Sequence, residues 1–403
     1  MMGQAETTLS RLIAYCRAND WAGYDPYDAL NSPLFKAFPL LDSRFPRIAL
    51  TQALKRSPIN IRRAILIPKT QNPKALALFL SAFLKISASG NDAYDDLIEY
   101  MIGRLIVLRS PGAAYDCWGY SFAWQGRNEI VPSGAPNLVC TTFVATALLD
   151  AYEQRRDSRC LALAQSAAEY ILKQLYWEDE RGAGFSYPRA SLRSETHNAN
   201  FLASALLCRL YALTSDKHLL TPALRVARHS LSKQKIDGSW YYGELPSQRW
   251  IDNFHTGYNL CALRSIGLTL GTSEFDDAIR RGLGFYTSHF FCEDGSVKYF
   301  HDRKYPIDIH CVAQSVITLV NLKALDYRNA ERAQAVLRWA LKHMWDAKGY
   351  FYYRVLRSVK IRTEYMRWSQ AWMVLAITNL LSESNAAFDS HSTRGVAAAT
   401  IKV

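Results

Sequence analysis

Apolar residues recur at helical spacing through most of the chain and fall into two interleaved series. One series begins near Asn72 (NPKALALFLSAFLKI), Thr141 (TTFVATALLDAY), His197 (HNANFLASALLCRLY), His255 (HTGYNLCALRSIG), His310 (HCVAQSVITLVNL) and Arg367 (RWSQAWMVLAITNLL). The starts at 141, 197, 255, 310 and 367 are separated by 56, 58, 55 and 57 residues, a period steady enough to be an internal repeat. The second series, near 94–109, 159–176, 219–234, 275–290 and 329–345, is more amphipathic and reads as an outer ring packed on an inner one. A further helix over 6–18 places Leu9, Leu12, Ile13 and Cys16 on one face and supplies a sixth outer member. The predicted fold is all-α, an (α/α)6 toroid or six-hairpin barrel.

The connections from outer to inner helices also resemble one another: CWGYSFAW (117–124), GFSYPR (184–189), DGSWYYGE (237–244), DGSVKYFHDRKYPID (294–308) and GYFYYR (349–354). Glycine followed by alternating aromatics suits a turn and a short strand-like run at one mouth of the barrel. Such rings would stack on sugars or, as plain core, cap the helix ends. Residues 23–74 carry seven prolines among short apolar pieces, which breaks long helices. The expected organisation is an N-terminal helix with an irregular Pro-rich segment (1–71) packed on the barrel, the toroid body (72–381) and a flexible tail (382–403).

The net charge of +12 favours an anionic partner such as an acidic or lipid-linked saccharide, or a membrane face. No long basic run or nucleic-acid motif is present, so nucleic acid is not expected. Scattered cations of the N-terminal segment (Lys55, Arg56, Arg62, Arg63, Lys69, Lys74) would hold an anion or form a solvated face. The eight cysteines include no CxxC pair, and the N-terminus lacks a basic region followed by an apolar run. A reduced cytoplasmic protein is expected, in peripheral contact with the inner membrane or with polysaccharide-assembly proteins.

His197, His255 and His310 fall at matching N-termini of three inner helices, where the helix dipole disfavours the imidazolium and leaves a base. Asp252 and Asp308 stand just ahead of two of them, as partners in proton transfer or as N-caps. Tyr258, one turn beyond His255, is placed to donate a proton. Arg367 would grip an anion, Asn198 would polarise it, and Trp118, Trp240, Tyr241, Glu244 and Trp368 complete the expected substrate contacts. No HxxxH, HExxH, P-loop or GxGxxG pattern occurs, so neither a metal nor a nucleotide cofactor is expected.

The segment Gln234-Lys-Ile-Asp-Gly238-Ser-Trp240 resembles the Q-x3-G-x-W repeat of squalene and related triterpene cyclases, which are α/α toroids; their DxDD motif is absent here. A longer resemblance, from about residue 20 to 380, is to a bacterial family encoded among capsule and O-antigen biosynthesis genes. It rests on GYDPYDALNS (23–32), KRSPINIR (55–62), NPKALALF (72–79), CWGYSFAWQ (117–125), THNAN (196–200), DGSWYYGE (237–244), WIDNFHTGY (250–258) and YPIDIHCVAQ (305–314). The layout is similar, more distantly, to six-hairpin glycosidases, uronate lyases and sugar epimerases. These resemblances imply a carbohydrate-active enzyme of surface-polysaccharide synthesis. Proton transfer by His255 or His310 with Tyr258 would make it a lyase or epimerase. Two other readings stand beside it: a glycoside hydrolase using Asp252 and Asp308, and a non-catalytic glycan- or partner-binding subunit.

Overall fold

A computed structural model of the chain describes residues 2–38, 43–90, 92–126, 129–193 and 195–383. Six helices line the inside of a toroid: α4 (Pro73–Ser87), α6 (Leu138–Arg155), α8 (His197–Thr214), α10 (Asn253–Leu270), α12 (Ile309–Asn321) and α14, helical over 371–383 behind a π-turn at Met366–Gln370. Outside them run α5 (Asp95–Val107), α7 (Ser158–Tyr170), α9 (Lys217–Leu231), α11 (Asp276–His289) and α13 (Arg328–His343). The ring is closed by α1 (Met2–Ala18), the sixth outer helix. The (α/α)6 toroid expected from the repeat is the fold of the chain. No helix among the described residues is long and apolar enough to cross a membrane.

Two local devices recur round the ring. Inner helices α6 and α8 each end on a left-handed residue, Arg156 (φ 58°) and Ser215 (φ 59°). The next residue, Asp157 or Asp216, N-caps the following outer helix through its carboxylate. That pairing turns the chain within two residues.

On the return, Gly238, Gly295 and Gly349 have φ of 88°, 84° and 92°, a region costly for any residue with a Cβ. Each is pressed against the next outer helix: Gly238 on the Arg281 carbonyl of α11, Gly295 on Ala335 of α13, and Gly349 on Arg11 of α1. The third contact is what identifies α1 as the element that completes the ring.

Inner-helix N-termini all open at one mouth, and the irregular N-terminal segment lies there. Ala22–Gly23 pairs with Thr70–Gln71, and Tyr24 bridges to Tyr365 at the start of the last inner element. α2 (Pro33–Lys36) and α3 (Arg44–Arg56) follow. Arg62 Nε donates to Asp28 Oδ1 at 2.8 Å, with both side chains buried. The tail expected from residue 382 lies, from 384 onward, outside the described residues.

Candidate functional site

A cavity of about 710 Å³ opens at this mouth, within the size range of small-molecule sites. Its wall is largely aromatic. Tyr242 and Trp250 stack with ring centroids 4.6 Å apart, Tyr242 lies 4.5 Å from His255, and Phe254 contacts both His255 (4.0 Å) and His310 (4.7 Å). Flat apolar faces edged by phenol and indole groups suit the C–H faces and hydroxyls of a sugar ring.

Asp252 is the N-cap of α10. Its Oδ1 accepts the His255 backbone N–H at 3.0 Å, and its Oδ2 accepts from Trp250 Nε1 (2.9 Å) and from His255 Nδ1 (2.7 Å). A carboxylate accepts only, so it holds the His255 proton on Nδ1 and directs Nε2 to the cavity. Among the described residues nothing hydrogen-bonds that Nε2. The arrangement provides an oriented proton acceptor.

The second histidine is coupled differently. His310 Nε2 lies 2.6 Å from the Tyr258 hydroxyl, one turn beyond His255, while His310 Nδ1 is buried without a hydrogen-bond partner among the described residues. Burial first, then the nearby Lys74 amine and Arg367, hold the His310 pKa well below the usual histidine range. Burial likewise holds the Tyr258 hydroxyl well above the usual tyrosine value. The pair therefore stays uncharged around neutral pH and can pass a proton as a unit.

His255, His310, Tyr258, Asp252, Asn198, Arg367 and Trp368 all line the cavity. Asn198 Oδ1 is buried with no hydrogen-bond partner among the described residues, which leaves an acceptor for a ligand hydroxyl. Arg367 is already gripped: its Nε and Nη2 donate to the two oxygens of Asp25 at 2.7 and 2.9 Å. Burial disfavours the guanidinium charge, and the Asp25 carboxylate more than offsets this and raises its pKa.

Several expected contacts lie elsewhere. His197 is fully buried behind the Thr196–Gly243 bridge, with Nε2 2.9 Å from Glu244, so neither residue reaches the cavity. Trp118 and Trp240 donate their indole N–H groups to the Leu105 and Ser230 carbonyls of outer helices, which sinks both rings between the two layers. Tyr241 turns outward under Lys235. The alternation of the strand-like run thus sends Tyr242, not Trp240 or Tyr241, into the cavity.

Asp308 is fully occupied. Oδ1 accepts from the His310 backbone (2.9 Å) and Trp368 Nε1 (2.9 Å), and Oδ2 from Arg354 Nε (2.5 Å). It does not line the cavity, so it forms no acid/base pair with Asp252 across a ligand. Among the described residues no group of three His, Cys, Asp or Glu side chains could hold a metal ion.

One contributor was not singled out from sequence, and another was named only among the scattered cations. Tyr27, from the Pro-rich segment, lines the cavity with Lys55 Nζ donating to its hydroxyl at 2.7 Å. Lys74, at the start of α4, is buried and faces the cavity. A lone lysine in the otherwise apolar NPKALALFLSAFL was the available signal, since charged residues are rarely buried without a reason.

No family model and no curated protein matches the chain. Among solved structures, the cellobiose 2-epimerase of Spirochaeta thermophila is similar over 79% of this chain and 87% of its own, with TM-score 0.59 and 16% identity. A family 76 α-mannanase of Bacteroides thetaiotaomicron matches over 79% and 88%, with TM-score 0.62 and 12% identity. A D-mannose isomerase matches over 78% and 87%, with TM-score 0.58 and 12% identity. At such identities the likeness shows the fold, the six-hairpin toroid.

Proposed function

We propose that this chain is a carbohydrate-active enzyme of the epimerase or isomerase type, moving the proton on the carbon beside a sugar carbonyl. The observation that carries the reading is the Asp252–His255 pair, with Nδ1 held at 2.7 Å and Nε2 open to an aromatic cavity. His255 removes the proton, and the Tyr258–His310 pair delivers one to the carbonyl oxygen or to the other face. Asn198 accepts a substrate hydroxyl. Structural neighbours that include a cellobiose 2-epimerase and a D-mannose isomerase support this direction by fold analogy. The full occupation of Asp308 weighs against the hydrolase. With Arg367 neutralised by Asp25, the cavity suits a neutral saccharide better than a uronate. Proton NMR in D2O with D-mannose, D-glucose, cellobiose and mannobiose tests the reading. Loss of the C2–H signal or formation of the C2 epimer or ketose is expected for at least one, and exchange with none of them overturns it.

The capsule and O-antigen resemblance suggests work beside a membrane, and the exposed side chains of the Pro-rich segment fit one. Phe45 (80% exposed), Ile59 (70%), Phe38 (59%) and Leu66 (57%) are exposed on the Pro-rich segment, which also exposes the cations Arg44, Arg56 and Arg63. Exposed apolar side chains carried with cations on one segment suit an anionic bilayer, each cation adding roughly 1 kcal/mol near the surface. In co-sedimentation, the protein is expected to bind phosphatidylglycerol vesicles and not phosphatidylcholine vesicles, with Phe45→Glu/Ile59→Glu weakening binding about tenfold or more. Equal binding to both lipids, or self-association in place of binding, would remove the membrane assignment.

A further inference from the structure

Lys74 is the least expected group at the site. Asn72 caps α4 through its side chain, Pro73 opens the helix, and Lys74 follows at a position where the whole first turn is buried. Its Nζ stands 4.0 Å from the Phe143 ring centroid, 5.3 Å from Trp372 and 5.5 Å from Tyr258. Among the described residues no carboxylate pairs with it and no hydrogen bond holds it. Other titratable groups acting on it are Arg367, Cys140 and Asp25, with His310 the neighbour it acts on in turn. Burial, and then Arg367, push its pKa well below the usual lysine value.

A solvated cation would be a poor occupant of this cage, and a purely structural role would be served better by methionine. We infer that Lys74 is a nucleophilic amine that captures the open-chain aldehyde of a reducing sugar as an imine, a step that rests on the epimerase or isomerase reading of the site. The Nζ lone pair attacks C1 while the carbonyl π pair moves to oxygen, which takes the proton that Nζ sheds. That hydroxyl and one Nζ hydrogen then leave as water as the C=N bond forms. Protonation of the imine nitrogen creates the cation that draws electrons from C2, and the three aromatic faces offset part of the cost of burying it.

The iminium acidifies C2–H. His255 Nε2 takes that proton, the C–H pair becomes the C1=C2 bond, and the C=N pair moves onto nitrogen to give an enamine. Return of a proton at the opposite face of C2, followed by hydrolysis of the imine, releases the epimer. No oxidant, reductant or further reactant is consumed. Lysine amines are activated in this way where burial leaves the free base at neutral pH.

The test uses glycolaldehyde with sodium cyanoborohydride on the full chain at pH 7, with mass mapping of the Lys74 peptide. Glycolaldehyde is small enough that labelling does not depend on the sugar preference of the cavity. Reductive alkylation at Lys74 is expected at least about tenfold faster than at exposed lysines, because far more of it is free base. Labelling of Lys74 no faster than exposed lysines overturns the proposal.

A second readout is stability. The folded pKa of Lys74 lies below its unfolded value, so the unfolded chain binds more protons and wild-type stability rises with pH up to the unfolded pKa. Lys74→Met is therefore expected to be more stable than wild type at pH 7, by a margin that shrinks toward pH 10. A margin independent of pH would mean that the amine is charged in the fold. Labelling of Lys74 without C2 exchange in any sugar sinks the epimerase reading and leaves the amine. C2 exchange undiminished in Lys74→Met sinks the imine and leaves the epimerase.

Discussion

Replacing His255 by Gln is expected to lower C2 proton exchange by roughly 10²- to 10⁴-fold, the usual contribution of a positioned general base. The fold should be unaffected. The ring is partly exposed at the cavity wall, and the N-cap of α10 uses the backbone of residue 255, which Gln retains. Asp252→Asn is the sharper version of the same test. Oδ1 would still accept the backbone N–H, but an amide in place of Oδ2 donates where it must accept from Trp250 Nε1 and His255 Nδ1. The imidazole then moves its proton to Nε2 and presents a donor to the substrate. A fall in kcat within the same range, with KM little changed, is expected in an NMR or coupled assay. Full exchange in both variants would place the base elsewhere, with His310 the remaining candidate.

The legible part of this protein is what the repeat writes several times. Each hairpin must bury an inner helix against an outer one, so the apolar period and the Asp-Gly or Lys-Gly turns recur at steady spacing, and the toroid follows from them. The helix N-termini were legible for the same reason. Asp252 and Asp308 precede inner helices as N-caps, and His255 and His310 inherit their places from that position. What separates the two aspartates is invisible in sequence. Trp250 and the cavity leave Asp252 free to orient a histidine, whereas Arg354 and Trp368, 46 and 60 positions away from Asp308, occupy the other carboxylate.

Direction within a short strand-like run was legible only as a pattern. Trp240, Tyr241 and Tyr242 are equivalent on paper, and the Ser230 carbonyl decides that the first goes to the core. Contributions from the Pro-rich segment were the least accessible, because that segment has no periodicity of its own. Its cations read as a scattered set, yet Arg62 closes on Asp28, Lys55 on Tyr27, and Lys74 ends in an aromatic cage. These are tertiary facts, made by packing the segment over the barrel mouth.

A further contact of that segment yields the second large expected effect. Asp25 and Arg367 lie 342 positions apart, are both about nine-tenths or more buried, and form a two-pronged ion pair at 2.7 and 2.9 Å. Asp25 also accepts the Tyr27 backbone N–H, so the pair ties the turn carrying a cavity tyrosine to the start of the last inner element. Asp25→Ala would leave a guanidinium buried without its counter-charge, facing Lys74 and His310, whose pKa values it already depresses. Removing one partner of such a pair costs about 3–5 kcal/mol, most of it the stranded charge. Denaturant unfolding should show a loss of that order for Asp25→Ala. The double variant Asp25→Ala/Arg367→Met should recover most of it, because the charge that needed a partner is gone. Activity should separate the two roles of the pair. If Arg367 only anchors the segment, the double variant regains C2 exchange together with stability. If its guanidinium also meets the sugar, stability returns and exchange does not. A loss below 1 kcal/mol in Asp25→Ala would mean that water reaches the guanidinium and that the segment is held over the mouth by its apolar contacts alone.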